Sequence, residues 1–371
     1  MTNKEKSKLQ KEILTFLKTG ESGRLLGAPR IGKSKLIIDL IKRDKIQRKI
    51  LWVTPTTKLA DEDIPAEFVK WKAKKYLPQL QTVTWKGLKN VEGDFGLIVL
   101  DEEQFMTANN AKPLLQGKLT GDVIISMTGT ESKSKDKKDL YKKLNLPVRY
   151  KMTINKAVDI GLLSNYKIKV IMVDLDDKKN IEVTYKDKKT KKEKSFMTSE
   201  ELQYNYLSGK LAKAATKYGI MHRRQVIGNS PSKLGAAKYI FNSLEGRNIV
   251  FAVSMKQAED LCDFVYHGKT DETDLKKFVS GETDKIAMVN KGGTGYTYTA
   301  IDNLLLTQID SDVNGLTSQK IARTLLEQGE YEACIWITCL RGTQDEIWLA
   351  STLANFDDKK IEYINFKDLV L

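Results

Sequence analysis

Residues 24–40 read Arg-Leu-Leu-Gly-Ala-Pro-Arg-Ile-Gly-Lys-Ser-Lys-Leu-Ile-Ile-Asp-Leu, and no other stretch limits the possible folds of this chain so strongly. Gly27, four further residues and then Gly32-Lys33-Ser34 fit the pattern G-x-x-x-x-G-K-S/T. The two leucines before Gly27 predict the end of a strand, and the apolar spacing of residues 34–42 predicts a helix. In such a turn, backbone N–H groups face a phosphate at the helix N-terminus, where the dipole favours negative charge. A glycine-containing turn with a chance lysine is the alternative interpretation.

The turn predicts a nucleotide site in which each residue type has a task. Lys33 would reach the β- and γ-phosphates, and the Ser34 hydroxyl would bind Mg²⁺. ATP and Mg²⁺ are therefore the predicted cofactors. The residues predicted to hold the phosphates are Gly27, Ala28, Pro29, Arg30, Ile31, Gly32, Lys33 and Ser34.

Length and composition describe a globular protein with room for two lobes. The chain has 371 residues, of which 41% are hydrophobic and 30% are charged. No apolar run approaches the roughly 18 residues of a membrane-spanning helix, so no membrane contact is expected. The polar N-terminus predicts no secretory signal, and the three cysteines lack metal-ligand spacing. We expect a cytoplasmic protein, in the host cytoplasm if the source is viral.

The net charge of +14 has two interpretations. It suits a polyanion partner, because lysine and arginine that neutralise phosphates release counterions. A lysine-rich solvated surface in an A/T-rich genome would give the same charge. Charge alone therefore does not decide between them.

Short apolar runs in the first half predict the strands of a parallel sheet. These runs are residues 50–54, 82–84, 95–100 and 123–127, and stretches with helical spacing lie between them. Polar residues follow the carboxyl ends of the runs. Parallel sheets of this kind bind ligands at that edge.

The second half predicts a similar block after an insertion. A helix is predicted over 154–163, a strand over 167–175, and a basic β-hairpin around the alternating run 181–185. The later elements are helices over 232–244, 255–265 and 318–327, and strands over 248–253, 285–289, 303–308 and 333–339. We thus predict an α/β fold of two tandem parallel-sheet lobes, with residues 1–152 as lobe 1, 153–229 as a connector with the hairpin, and 230–371 as lobe 2.

An acidic pair, Asp101-Glu102, follows the strand predicted over 95–100, about seventy residues after the phosphate loop. An aspartate there can hold Mg²⁺, and the glutamate can orient and deprotonate an attacking water. A structural role for the two carboxylates is the alternative. Together with the phosphate loop, the pair predicts ATP hydrolysis.

The order of these motifs resembles that of the superfamily-two helicases and translocases, whose ATP site lies between two RecA-like lobes. The resemblance covers nearly the whole chain. Gly27 to Ser34 resembles motif I, and Asp101-Glu102-Glu103-Gln104 resembles motif II. The other matching segments are Thr54-Pro55-Thr56, Thr84-Trp85-Lys86-Gly87-Leu88, Thr128-Gly129-Thr130, Val250-Phe251-Ala252-Val253-Ser254, Asn290-Lys291-Gly292-Gly293-Thr294-Gly295 and Gln319-Lys320-Ile321-Ala322-Arg323. Thr-Gly-Thr, Gly-Gly-Thr-Gly and residues 342–346 are similar to the Swi/Snf-like branch, and compact bacteriophage helicases are of this general type.

The resemblance implies roles for single residues around the nucleotide. Gln10 would read adenine, although a polar position on its helix explains it equally well. Lys33, Asp101, Glu102 and Arg323 would be catalytic, and Arg323 would meet the charge that develops on the γ-phosphoryl group. Gly295 would contact the nucleotide from lobe 2, and Ser34 and Asp101 would hold the metal. The implied coupling residues are Thr128, Thr130 and Gln319.

Nucleic acid is the implied partner, with DNA favoured over RNA. Short hydroxyl side chains suit sugar-phosphate contacts that do not read sequence. The implied contact residues are Thr54, Thr56, Thr84, Ser254 and Thr294; helix capping is the alternative for each short hydroxyl at a loop start. Trp85 would stack on a base or pack in the core, and the basic hairpin would line a duplex, separate strands or remain solvated. A monomer is expected, with a loading or single-strand-binding protein as a possible partner.

Two positions depart from the family pattern. Arg30 occupies a place that is usually glycine in the phosphate loop, which puts the local backbone in question. Leu326 stands where motif VI often carries its second arginine, so turnover could be slow or the cation could come from Arg341 or a partner.

Three functions fit these motifs. The first is an ATP-dependent helicase or translocase on DNA. The second is a duplex translocase that remodels DNA without separating strands, and the third is an ATP-gated clamp or loader subunit with little turnover. A small-molecule kinase would not need the motifs of the second lobe.

Overall fold

The computed structural model describes residues 1–129, 131–132, 134–186, 190–289, 301–309, 316–325 and 332–371. The side chains of residues 316, 319 and 323 are not among those described. Contacts divide the chain into two compact units. The first comprises Met1–Asn165 and Asp312–Tyr331, and the second comprises Tyr166–Ser311 and Glu332–Leu371.

Helices and strands alternate from the start of the first unit. They are α1 (Asn3–Phe16), β1 (Gly23–Leu26), α2 (Lys33–Asp44), β2 (Ile50–Thr54), α3 (Ile64–Lys70), β3 (Leu80–Thr84), β4 (Gly93–Asp101), α4 (Lys112–Leu115), β5 (Leu119–Thr128), α5 (Lys135–Lys143), β6 (Val148–Lys151) and α6 (Ile154–Asp159).

The strands of the first unit form one parallel sheet. Their order is β3-β2-β4-β5-β1-β6, and each neighbouring pair is parallel. All five residues of β2 are buried, because helices cover both faces of such a sheet. Helix α2 has an apolar stripe that includes Leu36, Ile37 and Leu40. These residues are buried in the core of the first unit. The sheet therefore brings the carboxyl ends of β1, β4 and β5 to one edge.

The remaining elements follow from Asn165 onward. They are β7 (Asn165–Val173), β8 (Ile181–Lys186), β9 (Glu193–Thr198), α7 (Glu200–Lys213), α8 (Lys217–Gly228), α9 (Pro231–Ser243), β10 (Asn248–Phe251), α10 (Met255–Leu261), β11 (Val265–Tyr266), α11 (Thr273–Ser280), β12 (Lys285–Met288), β13 (Asn303–Leu306), α12 (Leu316–Thr324), β14 (Glu332–Leu340), α13 (Gln344–Leu353) and β15 (Ile361–Asn365).

A second sheet forms the centre of the second unit, with strand order β11-β12-β10-β13-β14-β7-β15. Strands β10, β12 and β13 pair in parallel. Apolar residues of β10, β13, β14 and α9 form its core. The predicted α/β class with two parallel-sheet lobes is confirmed. The predicted hairpin is confirmed as well, since β8 and β9 are antiparallel and pair from Ile181↔Thr198 to Lys186↔Glu193.

Some boundaries differ from the predicted ones for local reasons. The helix predicted over 154–163 ends at Asp159, because Gly161 adopts φ +69° and the N–H of Leu162 bonds back to the Ala157 carbonyl. The helix predicted over 255–265 ends at Leu261, and Val265 instead begins the short strand β11. Helix α12 groups with the first unit, where the Ser164 N–H donates to the Leu325 carbonyl at 3.1 Å. No helix of the described ranges is long and apolar enough to cross a membrane.

Candidate nucleotide-binding site

The phosphate loop connects β1 to α2 at the carboxyl edge of the first sheet. The Gly27 N–H donates to the Thr128 carbonyl at 3.0 Å, which fixes the start of the loop against the end of β5. Gly32 precedes α2 with φ +84° and offers no side chain to cap the helix. The amide groups of the first turn therefore suit an anionic ligand. The Lys33 ammonium donates to the Gly27 carbonyl at 3.3 Å and so lies over the loop.

Gln10 contacts the loop from α1. Its side-chain amide donates to the Ile31 carbonyl at 2.8 Å, and the residue is buried. A Cβ atom on Gly32 would lie 2.4 Å from the Gln10 Nε2 atom and would displace the end of that side chain, and the φ of +84° independently favours glycine. The structure thus places Gln10 beside the loop. Its reading of adenine stays a prediction.

Arg30 has φ +68°, in the left-handed region. This observation explains why glycine suits the position and resolves the question about the local backbone: the arginine adopts the glycine-like conformation. The strain of a non-glycine residue there is on the order of 1–3 kcal/mol. The rest of the loop has to offset that strain.

The acidic pair stands at the end of β4, two strands from β1. Asp101 is almost fully buried, and burial raises its pKa to about 7, with the neighbouring Glu102 carboxylate adding to the rise and the Lys33 ammonium opposing it. The loop lysine and the aspartate thus stand at the same edge of the sheet, at the start of α2 and the end of β4. Glu102 has φ +51°, a strained conformation of the kind that recurs at functional sites.

A chain of hydrogen bonds joins Glu102 to the end of β5. The Gln104 side-chain amide donates to Glu102 Oε2 at 2.9 Å. The Thr128 hydroxyl donates to Gln104 Oε1 at 2.8 Å, and both partners are buried. The predicted coupling residue Thr128 is therefore linked to the predicted catalytic residue Glu102 through one intervening side chain, that of Gln104. Thr130 lies outside the described residues.

A buried ion pair beneath motif II escaped the sequence analysis. The Arg24 guanidinium, on β1, donates to both carboxylate oxygens of Glu103, with its Nη2 atom 2.6 Å from Oε1. Glu103 has 0% exposure and also accepts from the Ser126 hydroxyl. The Tyr141 ring lies 3.7 Å from the guanidinium carbon, which adds a cation–π contact. The sequence offered little signal for this pair, because Arg24 and Glu103 are 79 positions apart and Glu103 stands in the polar segment Asp101-Glu102-Glu103-Gln104.

The hydroxyl residues predicted to contact nucleic acid have partners within the chain. Thr54 and Thr84 are register partners at the ends of β2 and β3. The Thr54 hydroxyl donates to the Thr56 carbonyl at 3.0 Å, and the Thr56 and Thr84 hydroxyls each accept a nearby backbone N–H at 3.3 Å. In the second unit, Ser254 accepts from the Gln257 N–H at 3.2 Å and caps α10. The capping geometry is thus present, and a phosphate contact by these residues stays a prediction.

Trp85 packs in the core of the first unit. It is buried, and its indole N–H donates to the Asp101 carbonyl at 2.9 Å. Of its two interpretations, the structure shows core packing. The contact also supports the backbone of the predicted catalytic aspartate.

Several predicted residues lie outside the part of the chain that the structure describes. They are Thr294 and Gly295, together with the side chains of Gln319 and Arg323. The backbones of residues 319 and 323 belong to α12, in the first unit.

The predicted Mg²⁺ fits the residues at this edge. Mg²⁺ takes oxygen ligands and keeps several waters, so one carboxylate and one hydroxyl are a common protein contribution. Asp101 and Ser34 offer these groups at the end of β4 and the start of α2. The raised pKa of Asp101 shows a buried carboxylate that a cation would favour in its charged form.

The chain has two α/β domains that resemble the tandem RecA-like lobes of solved helicase structures. Over 98% of its length it is similar to the ATP-dependent Type ISP restriction-modification enzyme LlaBIII bound to DNA, with 14% identity and a TM-score of 0.58. The match spans 31% of that enzyme.

Two further solved structures match over most of both chains. The Hef helicase domain of Pyrococcus furiosus has 13% identity and a TM-score of 0.51, over 92% of this chain and 97% of that one. Dbp5 of S. cerevisiae, bound to RNA and ADP BeF3, has 11% identity and a TM-score of 0.58, over 97% and 90%. No family model and no curated protein sequence matches the chain.

Proposed function

We propose that this protein is an ATP-dependent nucleic-acid helicase or translocase that acts on DNA in replication, recombination or repair. The observation that carries the proposal is the meeting of a phosphate loop and an Asp-Glu pair at one sheet edge, with Lys33 acting electrostatically on Asp101. Neither motif alone defines the chemistry. Together they provide a phosphate cradle and a candidate base for water.

The residues divide the reaction between them. The amides of the loop and the Lys33 ammonium hold the phosphates, and the Glu102 carboxylate accepts a proton from the attacking water. Mg²⁺ bound by Ser34 and Asp101 would neutralise charge on the phosphate oxygens. Gln104 orients Glu102, and Thr128 orients Gln104 in turn. Arg323 would stabilise charge on the γ-phosphoryl group, and Gln319, Thr130, Thr294 and Gly295 keep their proposed coupling and nucleotide roles.

Motion along nucleic acid requires contacts that ignore sequence. Hydroxyls of Thr54, Thr56, Thr84 and Ser254 are proposed to touch the sugar-phosphate backbone, which predicts strong salt dependence and little base preference. We propose that residues 1–152 turn over the nucleotide, 153–229 form a connector, and 230–371 supply the later motifs. We further propose that the protein is a cytoplasmic monomer of Swi/Snf-like and bacteriophage type. It would work with a loading or single-strand-binding protein.

The test is steady-state phosphate release with and without single-stranded DNA, duplex, forked DNA and RNA. Lys33→Ala should lower turnover by about 10²-fold or more, because it removes a preorganised cation from the phosphates. Binding of nucleic acid should largely remain. Lys35→Ala is the matched control, since Lys35 lies on the same helix but pairs with Asp39. Equal turnover in wild type and Lys33→Ala would refute the catalytic assignment.

A duplex translocase is the second candidate, favoured by the Thr-Gly-Thr and Gly-Gly-Thr-Gly segments. A strand-displacement assay beside a triplex-displacement assay separates it from a helicase. Leu326 favours the third candidate, an ATP-gated clamp with little turnover. Rapid phosphate release stimulated by DNA would exclude the clamp.

A further inference from the structure

The second unit carries a helical hairpin, α7–α8, that none of the motifs above includes. Residues 205–229, from within α7 to the end of α8, contain five lysine or arginine residues and no aspartate or glutamate. The whole chain, in contrast, has 48 acidic residues against 62 basic ones. The separation of charge marks this hairpin as a surface for a negatively charged partner.

Exposed aromatic rings lie among these cations. Tyr206 on α7 is 62% exposed, and the Lys210 ammonium lies 4.4 Å from its ring centroid. Tyr218 on α8 is 79% exposed, and its ring lies 6.2 Å from the ring of His222. Met221 on the same helix is also exposed. Single exposed apolar residues are common on protein surfaces, so it is the position of these rings among cations that sets them apart.

Two positions contradict what helix stability alone would select. Lys217 is the first residue of α8, where the positive end of the helix dipole disfavours a cation. Gly209 lies inside α7, where glycine is a poor helix former, and a Cβ atom there would meet nothing within 4 Å. No neighbour in the described part of the chain therefore requires this glycine. Because Gly209 has no side chain, the backbone of a bound molecule can approach the helix closely at this point, beside Tyr206, Lys210 and Lys213.

The inner side of the hairpin is fixed to the rest of the unit. The Gln344 N–H donates to the Tyr204 hydroxyl at 2.8 Å, and the Arg223 guanidinium donates to Gln344 Oε1 at 3.0 Å. Glu200, at the start of α7, accepts from the Ser230 hydroxyl and the Ser232 N–H. The outer side is thus held in place by a rigid base, as a binding surface needs to be.

We propose that the outer face of α7–α8 binds single-stranded nucleic acid, separately from the helicase motifs. The lysines Lys210, Lys213 and Lys217 contact phosphates, and Tyr206 and Tyr218 stack on unpaired bases. Unpaired bases are the chemistry that matches exposed aromatic rings among cations. The inference rests on the proposed function and adds a second contact surface to it.

The test measures binding of fluorescent oligothymidylate of about 20 nucleotides to the full chain over a range of salt concentrations. The triple variant K210Q/K213Q/K217Q should bind about tenfold more weakly at moderate salt. Its plot of log K against log salt should be shallower by about 2, since each lost phosphate contact contributes about 0.7 on a single strand. The control K269Q/K276Q/K359Q removes three exposed lysines of the same unit and should behave as wild type.

Two single variants separate binding from folding. Tyr218→Ala should weaken binding by about fivefold or more, as expected for a lost stacking contact. Gly209→Ala should keep or raise the melting temperature, since alanine favours the helix, while it weakens binding by blocking the backbone. A Gly209→Ala protein that binds as well as wild type would argue against close approach at this position.

The outcomes distinguish this inference from the proposed function. A wild-type protein that neither binds the oligonucleotide nor hydrolyses ATP faster in its presence would contradict both. Wild-type binding that is unchanged in K210Q/K213Q/K217Q would overturn the inference alone, because the oligonucleotide would then bind elsewhere on the protein. Equal weakening in both triple variants would also overturn it, because bulk charge would then explain the binding.

Discussion

Asp101 is a buried carboxyl whose surroundings raise its pKa strongly. In a protein that lacks bound cation, its carboxyl binds more protons in the folded than in the unfolded chain between its ordinary pKa of 3.8 and its raised pKa of about 7. Stability contributed by this group is therefore full at low pH and is lost as pH rises through that window. Metal binding has the opposite pH dependence, since a protonated carboxyl is a poor ligand and the carboxylate forms only as pH rises through the same window.

We predict that Asp101→Asn removes this dependence. Without divalent cation, the free energy of unfolding of wild type should fall relative to the variant by about 1–4 kcal/mol between pH 4 and pH 8. Urea unfolding at several pH values measures the difference. Parallel pH profiles of the two proteins would contradict the assigned burial of Asp101.

The Arg24–Glu103 pair gives a second prediction for single residues. Arg24→Met should destabilise the fold by about 3–5 kcal/mol, because Glu103 would be left as a buried charge without its partner. The double variant R24M/E103M should be less destabilised than the single variant. Urea unfolding at pH 7 compares them.

The exposed pair Arg48–Asp122 is the control, with side chains 51% and 56% exposed. Arg48→Met should lower the free energy of unfolding by less than about 1 kcal/mol. If Arg24→Met and Arg48→Met lower the free energy of unfolding by the same amount, the Arg24–Glu103 pair contributes no more to stability than an exposed ion pair does.

At the scale of elements, the phosphate loop depends on the packing of α1 against it. We predict that Gly32→Ala abolishes nucleotide binding, because φ +84° strains alanine and its Cβ would lie 2.4 Å from Gln10 Nε2. Fluorescent ATP-analogue binding measures the loss. Gly20→Ala isolates the backbone strain, since Gly20 has φ +75° but nothing lies within 4 Å of its Cβ. Normal nucleotide binding by Gly32→Ala would contradict the site.

The link between β5 and motif II gives a further prediction. Thr128→Val keeps the shape of the side chain and removes the hydroxyl that donates to Gln104. We expect stimulation of ATP hydrolysis by nucleic acid to fall by about tenfold, with little change in the KM for ATP, because Gln104, which donates to Glu102, loses the hydroxyl that orients it. Thr120→Val is the control on the same strand, where the hydroxyl bonds to exposed Asp94. Equal kinetics for Thr128→Val and wild type would exclude the relay.

Elements with strong local patterns were predictable from the sequence. The buried strands β2 and β4 and helix α2 follow from apolar periodicity, and the position of the phosphate loop follows from its glycines. Strand β11 was not predictable, because two residues carry no periodicity and their pairing with β12 is a tertiary choice. Side-chain partners were not predictable for the same reason. Gln104 and Thr128 are 24 positions apart, and they form a hydrogen bond only because β4 and β5 are neighbours in the sheet.

For the whole molecule, a fold of two parallel-sheet lobes was predictable as a class, because motifs at strand ends imply parallel strands. The grouping of α12 with the first unit was not predictable, since it depends on contacts such as Ser164 with Leu325. The left-handed backbone of Arg30 was likewise visible only in the structure. The sequence thus predicts which residues form local motifs, whereas contacts between residues far apart in the sequence are found only from the fold.

The central claim is that the phosphate loop and motif II hydrolyse ATP in response to nucleic acid. The most direct measurement is the rate of phosphate release by wild type, Lys33→Ala and Glu102→Gln, each with and without single-stranded DNA. We expect DNA to accelerate wild type and both variants to lose about 10²-fold or more of the stimulated rate. A DNA-independent rate, or variants as fast as wild type, would contradict the claim.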